Sequence, residues 1–296
     1  MDDGSRPVRW DARDVAVTGG TIAAQCLGDP DDPALLLLGG ATWSRDWWDE
    51  GLCATLASRS LRVIRFDTRD TGRSVTSPAG APAYSADTLV DDAIAVLDAF
   101  AATACTAVGF SMGGGLAQRL AALHRDRVEA LVLMSTSPAG PVGAALPPPE
   151  PRVMAAFADD RPGPDWSDRE SAIAWLVEQE RPFAGPDCFD EQEVRGVISR
   201  AWARTSLPAA AATNHPLVAG SAASIDMSAL RGIPALVTHG TADPLFPPAH
   251  GEALSTLLRG RLLLLEGVGH QAPPPRTWPA IVDAIAELAR DPQRGR

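Results

Sequence analysis

The tightest constraint in this sequence is a pentapeptide at a junction. The apolar run Cys105-Thr106-Ala107-Val108 leads into Gly109-Phe110-Ser111-Met112-Gly113, and a helical pattern from Met112 to about Arg125 starts at once. G-x-S-x-G between a strand and a helix is the pattern of a sharp turn that lifts a serine hydroxyl clear of a sheet. The serine in such a turn takes a strained backbone conformation, and the flanking backbones come so close that the residues on either side must be small. A chain with this turn needs a strand below the serine, a helix after it and a sheet around that strand. The pentapeptide alone also occurs by chance, so the rest of the chain has to support it.

The rest of the chain supplies the sheet. Val8 to Val17 and Thr21 to Leu27 alternate apolar and polar residues around Thr18-Gly19-Gly20, the pattern of an antiparallel hairpin. Ala34 to Leu38, Leu61 to Phe66, Cys105 to Val108, Val128 to Met134, Ala235 to Thr238 and Leu262 to Leu265 are short continuous apolar runs, which suit strands covered on both faces. Helical patterns separate them: Trp48 to Ser58, Thr88 to Ala101, the segment after the serine, Pro248 to Leu258 and Trp278 to Ala289. Strands and helices alternating at this spacing predict an α/β fold: a mostly parallel eight-stranded sheet with helices on both faces.

The alternation stops at Pro138. A proline-rich stretch follows Gly140, and no strand pattern returns until Pro234. Between them lie helical patterns at Arg152–Ala158, Asp168–Glu180 and Asp190–Thr205, carrying Trp166, Trp175 and Trp202. We therefore expect a core built from residues 1–139 and 229–296, with an inserted all-helical cap over 140–228. A length of 296 residues suits that plan better than two independent domains.

Composition narrows the partners. A net charge of −11 at pH 7 argues against nucleic acid or an anionic membrane surface. All 26 basic residues are arginine, so no lysine acts as a base or forms a Schiff base. The four cysteines, Cys26, Cys53, Cys105 and Cys188, are isolated and show neither a disulfide framework nor zinc-site spacing. Met1 to Arg6 lacks a leader pattern, and no apolar run approaches the ~18 residues of a membrane span. The expectation is a soluble, cytoplasmic protein acting on a small molecule, with no cofactor and no metal.

A serine hydroxyl is a weak nucleophile near neutral pH and needs a base within hydrogen-bond reach, itself oriented by a carboxylate. In folds of this kind the order along the chain is serine, acid, histidine, each on a loop after a strand. Asp243 follows the strand Ala235–Thr238, and His270 follows the strand Leu262–Leu265. The other histidines fit less well. His124 ends a helix, His215 lies in the insertion at the surface or in a pocket, His239 ends a strand and His250 opens a helix. Asp67 precedes the serine, and Asp226 follows no strand.

Two backbone N–H groups are needed for the developing oxyanion. Met112, next to the serine, is one candidate, and Gly40, after the strand Ala34–Leu38, is the other. For a substrate pocket the candidates are Trp43, Phe110, Trp166, Trp175, Trp202 and Phe246. Asp67 to Ser74 carries two aspartates and two arginines without P-loop or EF-hand spacing, so an Arg–Asp network that stabilises the loop is expected. Gln271 directly after His270 is positioned to affect that histidine's surroundings.

Taken together these residues resemble the α/β-hydrolase superfamily over roughly 8–138 and 230–290. Within it, Arg65-Phe66-Asp67-Thr68-Arg69-Asp70-Thr71-Gly72-Arg73-Ser74, Gly39-Gly40, Asp243-Pro244-Leu245-Phe246-Pro247-Pro248-Ala249-His250-Gly251 and Gly269-His270 are similar to the aclacinomycin methylesterase-like group. The resemblance implies hydrolysis of a carboxylic ester, such as a methyl ester on an apolar or aromatic polyketide-like molecule. Lactone, C–C bond or cofactor-free peroxidative chemistry can use the same three residues. A non-catalytic small-molecule-binding protein is the alternative outside enzymes.

Overall fold

The computed structural model describes residues 9–143, 145–160 and 162–290. Val8, expected to open the first strand, and Met1 to Arg6 lie outside the described residues. β1 (Asp11–Val17) and β2 (Gly20–Leu27) form the expected hairpin around Thr18-Gly19. Then follow β3 (Ala34–Leu38), α1 (Glu50–Ala57), β4 (Arg62–Phe66), α2 (Ala86–Ala99), β5 (Cys105–Phe110), α3 (Met112–Leu123) and β6 (Val128–Met134). Four helices come next: α4 (Pro151–Phe157), α5 (Arg169–Glu180), α6 (Glu191–Trp202) and α7 (Pro208–Ser221). The sheet resumes with β7 (Ala235–Gly240), α8 (Ala249–Leu258), β8 (Arg261–Leu265) and α9 (Trp278–Arg290).

The eight strands form one sheet in the order β1-β2-β4-β3-β5-β6-β7-β8. β1–β2 and β2–β4 pair antiparallel, and the other five pairings are parallel. The leucines of β3 explain why its apolar run is unbroken. Leu35, Leu36, Leu37 and Leu38 are each at most 1% exposed, because alternate side chains enter different cores. Leu36 and Leu38 pack with α2, α3 and α8, and Leu35 and Leu37 pack with α1 and α9. Each such buried leucine contributes about 1.5–3 kcal/mol.

Helix starts follow their caps. α2 begins at Ala86, two residues before the expected Thr88, because Ser85 and Thr88 close a reciprocal capping box. α1 begins at Glu50 instead of Trp48: Asp49 accepts from the N–H groups of Gly51 and Leu52, and the tryptophans before it form a 3₁₀ turn. α7 is the one element that periodicity does not reveal. Its five alanines give it no apolar stripe, and Pro216 inside the helix reads as a breaker.

The topology also locates a crevice. β3 pairs with β4 on one side and β5 on the other, so successive crossovers leave β3 in opposite directions. In open parallel sheets such a switch, at the carboxyl ends of the strands, is where ligands bind. The loops after β3, β4, β5, β6, β7 and β8 all emerge there, beneath the helical segment between β6 and β7.

Candidate active site

Ser111 stands at the end of β5 with φ 52° and ψ −117°, a backbone conformation that a non-glycine residue adopts only under constraint. Its N–H donates to Met134 O at 3.0 Å, and its carbonyl accepts from Thr136 Oγ1 at 2.8 Å, so β6 holds the turn. The flanking glycines are required by contact. A Cβ on Gly109 would lie 2.2 Å from Gly113 O, and one on Gly113 would lie 2.1 Å from Leu38 O. The start of α3 thus presses directly on the end of β3.

The three side chains nominated from the sequence come together in series. His270 Nε2 is 2.9 Å from Ser111 Oγ, and His270 Nδ1 is 2.9 Å from Asp243 Oδ2. Asp243 is buried, and its Oδ1 accepts from the N–H groups of Leu245 and Phe246. Burial opposes its charge, but the adjacent His270, the hydrogen bond to it and the Phe246 N–H outweigh that penalty and hold the carboxyl below its usual range. His239 Nε2 approaches the same Oδ2 at 3.7 Å while bonding Phe246 O at 2.7 Å, and burial lowers its pKa. The remaining histidines have structural partners. His250 bridges Ser137 Oγ and Pro147 O, and His124 terminates α3. Asp226 caps a short 3₁₀ turn through Ser228, away from the site.

The loop after β3 brings Gly40 beside the start of α3, since Gly113 abuts Leu38 and Gly39. Its conformation depends on a residue from the helical segment. Thr42, at φ 67°, donates its N–H to His215 Nδ1 at 2.8 Å, which leaves Nε2 as the donor to Arg69 O at 2.8 Å. His215 is 0% exposed, not at the surface, because α7 carries it down between the loops after β3 and β4. Burial lowers its pKa and keeps the ring neutral.

The loop after β4 is the expected Arg–Asp network, and it extends further. Arg69 makes a two-pronged bond to the buried Asp92 on α2, and Asp70 accepts from Tyr84 Oη and Asn214 Nδ2. Asp67 accepts from the N–H groups of Arg45 and Arg73 and from the Arg204 guanidinium. Nothing in the sequence pairs residues 137 positions apart. Gln271 also reaches the helical segment: it accepts from Gly185 N–H at 2.9 Å and donates to Cys188 O at 2.9 Å. His270 N–H donates to Phe183 O at 2.7 Å.

Ser111 opens onto a cleft of about 550 Å³ between α3, the loop after β6 and the end of α7. Phe246 lines that cleft and meets the His270 ring edge-on at 5.4 Å. Trp43 and Phe110 do not line it; they are buried and stacked 4.3 Å apart. Trp202 lines a separate small cavity with Trp47, Ser44 and Glu180. Trp166 and Trp175 pack on each other and, through Trp166, on Trp202. Of the four cysteines, Cys188 is only half-buried and lies against Gly267 O and Arg276.

A family model described as alpha/beta hydrolase fold matches residues 33–274 of this chain. The chain belongs to the α/β-hydrolase family. This α/β hydrolase is 29% identical over 279 residues to the rhodomycin D methylesterase DauP of Streptomyces sp. strain C5, spanning 86% of this chain and 90% of the relative. It is also 29% identical over 271 residues to the rhodomycin D methylesterase DnrP of Streptomyces peucetius, with the same coverage. Among solved structures, a 2-hydroxy-6-oxo-6-phenylhexa-2,4-dienoate hydrolase of Rhodococcus sp. strain RHA1 matches with TM-score 0.73 at 22% identity, over 96% of this chain and 99% of that one. The esterase RhEst1 of Rhodococcus sp. ECU1013 matches with TM-score 0.71 at 23% identity, over 95% and 99%. These two structures establish the fold. The likeness to methylesterases first read from loop motifs extends along most of the α/β hydrolase.

Proposed function

We propose that this carboxylic ester hydrolase works through Ser111, His270 and Asp243. Ser111 Oγ attacks the ester carbonyl while His270 Nε2 takes its proton. Asp243 holds the imidazole in the tautomer with its proton on Nδ1 and stabilises the imidazolium that forms. The N–H groups of Met112 and Gly40 receive the oxyanion. His270 returns the proton to the leaving alkoxide, and a water activated by the same histidine then releases the acid from Ser111. The observation that carries this reading is the continuous Ser111–His270–Asp243 hydrogen-bonded series, at 2.9 Å for each step.

In this reading residues 1–139 and 229–296 are the catalytic core and 140–228 the cap. The substrate is a small-molecule ester, apolar or aromatic in its acyl part, with methanol as the alcohol released. The two rhodomycin D methylesterase relatives support the methyl ester, and Phe246 beside His270 supports an apolar acyl group. No described helix is long and apolar enough to cross a membrane, and we read the enzyme as cytoplasmic. The test is labelling with a fluorophosphonate followed by peptide mass spectrometry. Modification of Ser111 in folded protein, absent in Ser111→Ala, is expected; an unmodified Ser111 rejects the proposal.

A further inference from the structure

Three glycines follow Ser111 and Met112, and they are not equivalent. A Cβ on Gly113 would lie 2.1 Å from Leu38 O, and one on Gly114 would lie 2.6 Å from the Thr136 side chain. A Cβ on Gly115 would meet nothing within 4 Å. Gly115 lies inside α3 with an ordinary backbone, so neither packing nor conformation requires glycine there. Glycine is also among the poorest helix formers. The open space in front of it is the Ser111 cleft, which Gly115 lines.

Ser111, Gly115 and Arg119 recur at intervals of four residues and all line that cleft. This spacing sets them along one face of the helix, with Ser111 and Arg119 about 12 Å apart along its axis. Among the described residues that line the cleft, Arg119 is the only charged one. Its Nε donates to Asp87 and its Nη1 to Ala223 O, and among the described residues Nη2 has no partner. His270 does not line the cleft. A leaving alkoxide has to reach His270 for its proton, so the limb that fits this cleft is the acyl limb.

We propose that Gly115 and Arg119 determine which acyl group is accepted: the bare Gly115 lets a long limb run along α3, and the Arg119 guanidinium binds an acceptor at its far end. A carboxylate is the strongest such acceptor. The preferred substrate class is then the monoester of a long acid carrying a second, distal carboxylate or carbonyl. The proposal rests on Ser111 as nucleophile.

The test compares p-nitrophenyl acetate, p-nitrophenyl decanoate and the mono-p-nitrophenyl ester of decanedioic acid. The wild-type enzyme is expected to favour the decanedioic monoester over the decanoate by about tenfold in kcat/KM. Gly115→Leu should keep its acetate rate within about threefold and lose at least about thirtyfold on both long esters. Arg119→Gln should keep the decanoate rate and lose the preference for the distal carboxylate. A Gly115→Leu enzyme that treats all three esters as the wild type does, or an Arg119→Gln enzyme that keeps the preference, overturns the proposal. Calorimetric binding of decanedioate needs no turnover: an affinity unchanged by Gly115→Leu overturns it even where Ser111 proves not to be the nucleophile. Loss of acetate hydrolysis in the wild type, with decanedioate binding weakened at least about tenfold by either substitution, would instead reject the catalytic reading and leave the binding lane standing.

Discussion

Arg204, just beyond α6, grips Asp67 at the end of β4 through both carboxylate oxygens, at 2.6 Å and 3.0 Å. Asp67 is 0% exposed, and Arg204 also reaches Asp46. One guanidinium therefore ties the helical segment to the loops after β3 and β4. Arg204→Ala leaves the buried carboxylate with its backbone donors and only the more distant Arg45 guanidinium, at 3.8 Å. A loss of about 3 kcal/mol in urea unfolding is expected, with a smaller loss for Arg204→Lys, which keeps the charge without the fork. Equal stability of Arg204→Ala and the wild type would show that the pair holds nothing.

His215 supports the loop that carries Gly40. Removing it in His215→Ala strips the acceptor from Thr42 N–H and the donor from Arg69 O at a buried position. We expect about 2 kcal/mol of destabilisation and about a tenfold fall in kcat, because Gly40 lies two residues from the released Thr42. Burial lowers the His215 pKa. The unfolded chain therefore takes up a proton that the native state resists, and the contribution of His215 is present above pH ~6.5 and declines as pH falls below it. The pH slope of stability in that range should flatten in the variant.

Glu180, half-buried between two small cavities, gives the opposite slope. Dehydration of its carboxyl pushes its pKa up to about 7. With the folded value above the unfolded one, the native state binds the extra proton, so stability rises as pH drops from about 7 towards the ordinary glutamate range. The full swing is roughly 3 kcal/mol. Glu180→Gln should remove this dependence and raise the melting temperature at pH 8; an unchanged profile would mean that the carboxylate is well hydrated.

Asp243→Asn preserves the shape of the acid and inverts its hydrogen-bonding preference towards His270 Nδ1. The variant should fold, keep substrate affinity and lose about 10⁴-fold in kcat. A loss below tenfold would remove Asp243 from the catalytic series.

What could be read in advance follows from how far each signal reaches along the chain. Gly109 to Gly113, the unbroken apolar run of β3 and the alternating hairpin are local patterns, and each specifies its own element through backbone contact or burial. The order serine, acid, histidine is also a property of the chain, which is why Ser111, Asp243 and His270 could be nominated before the sheet was seen. α7 could not, since alanines and an internal proline leave no periodic stripe. His215 was misjudged for the same reason.

Hydrophobic period and glycine spacing act over a few residues, so the strand–helix alternation, the turn at Ser111 and the candidates for the site are written in the order of the amino acids. How the helical segment meets that turn is set by packing between distant parts of the chain. Arg204 on Asp67, His215 under Thr42 and Phe183 on the His270 backbone all join residues far apart in the chain. Their energies come from burial and hydrogen-bond geometry that exist only once the sheet and the helices above it have packed.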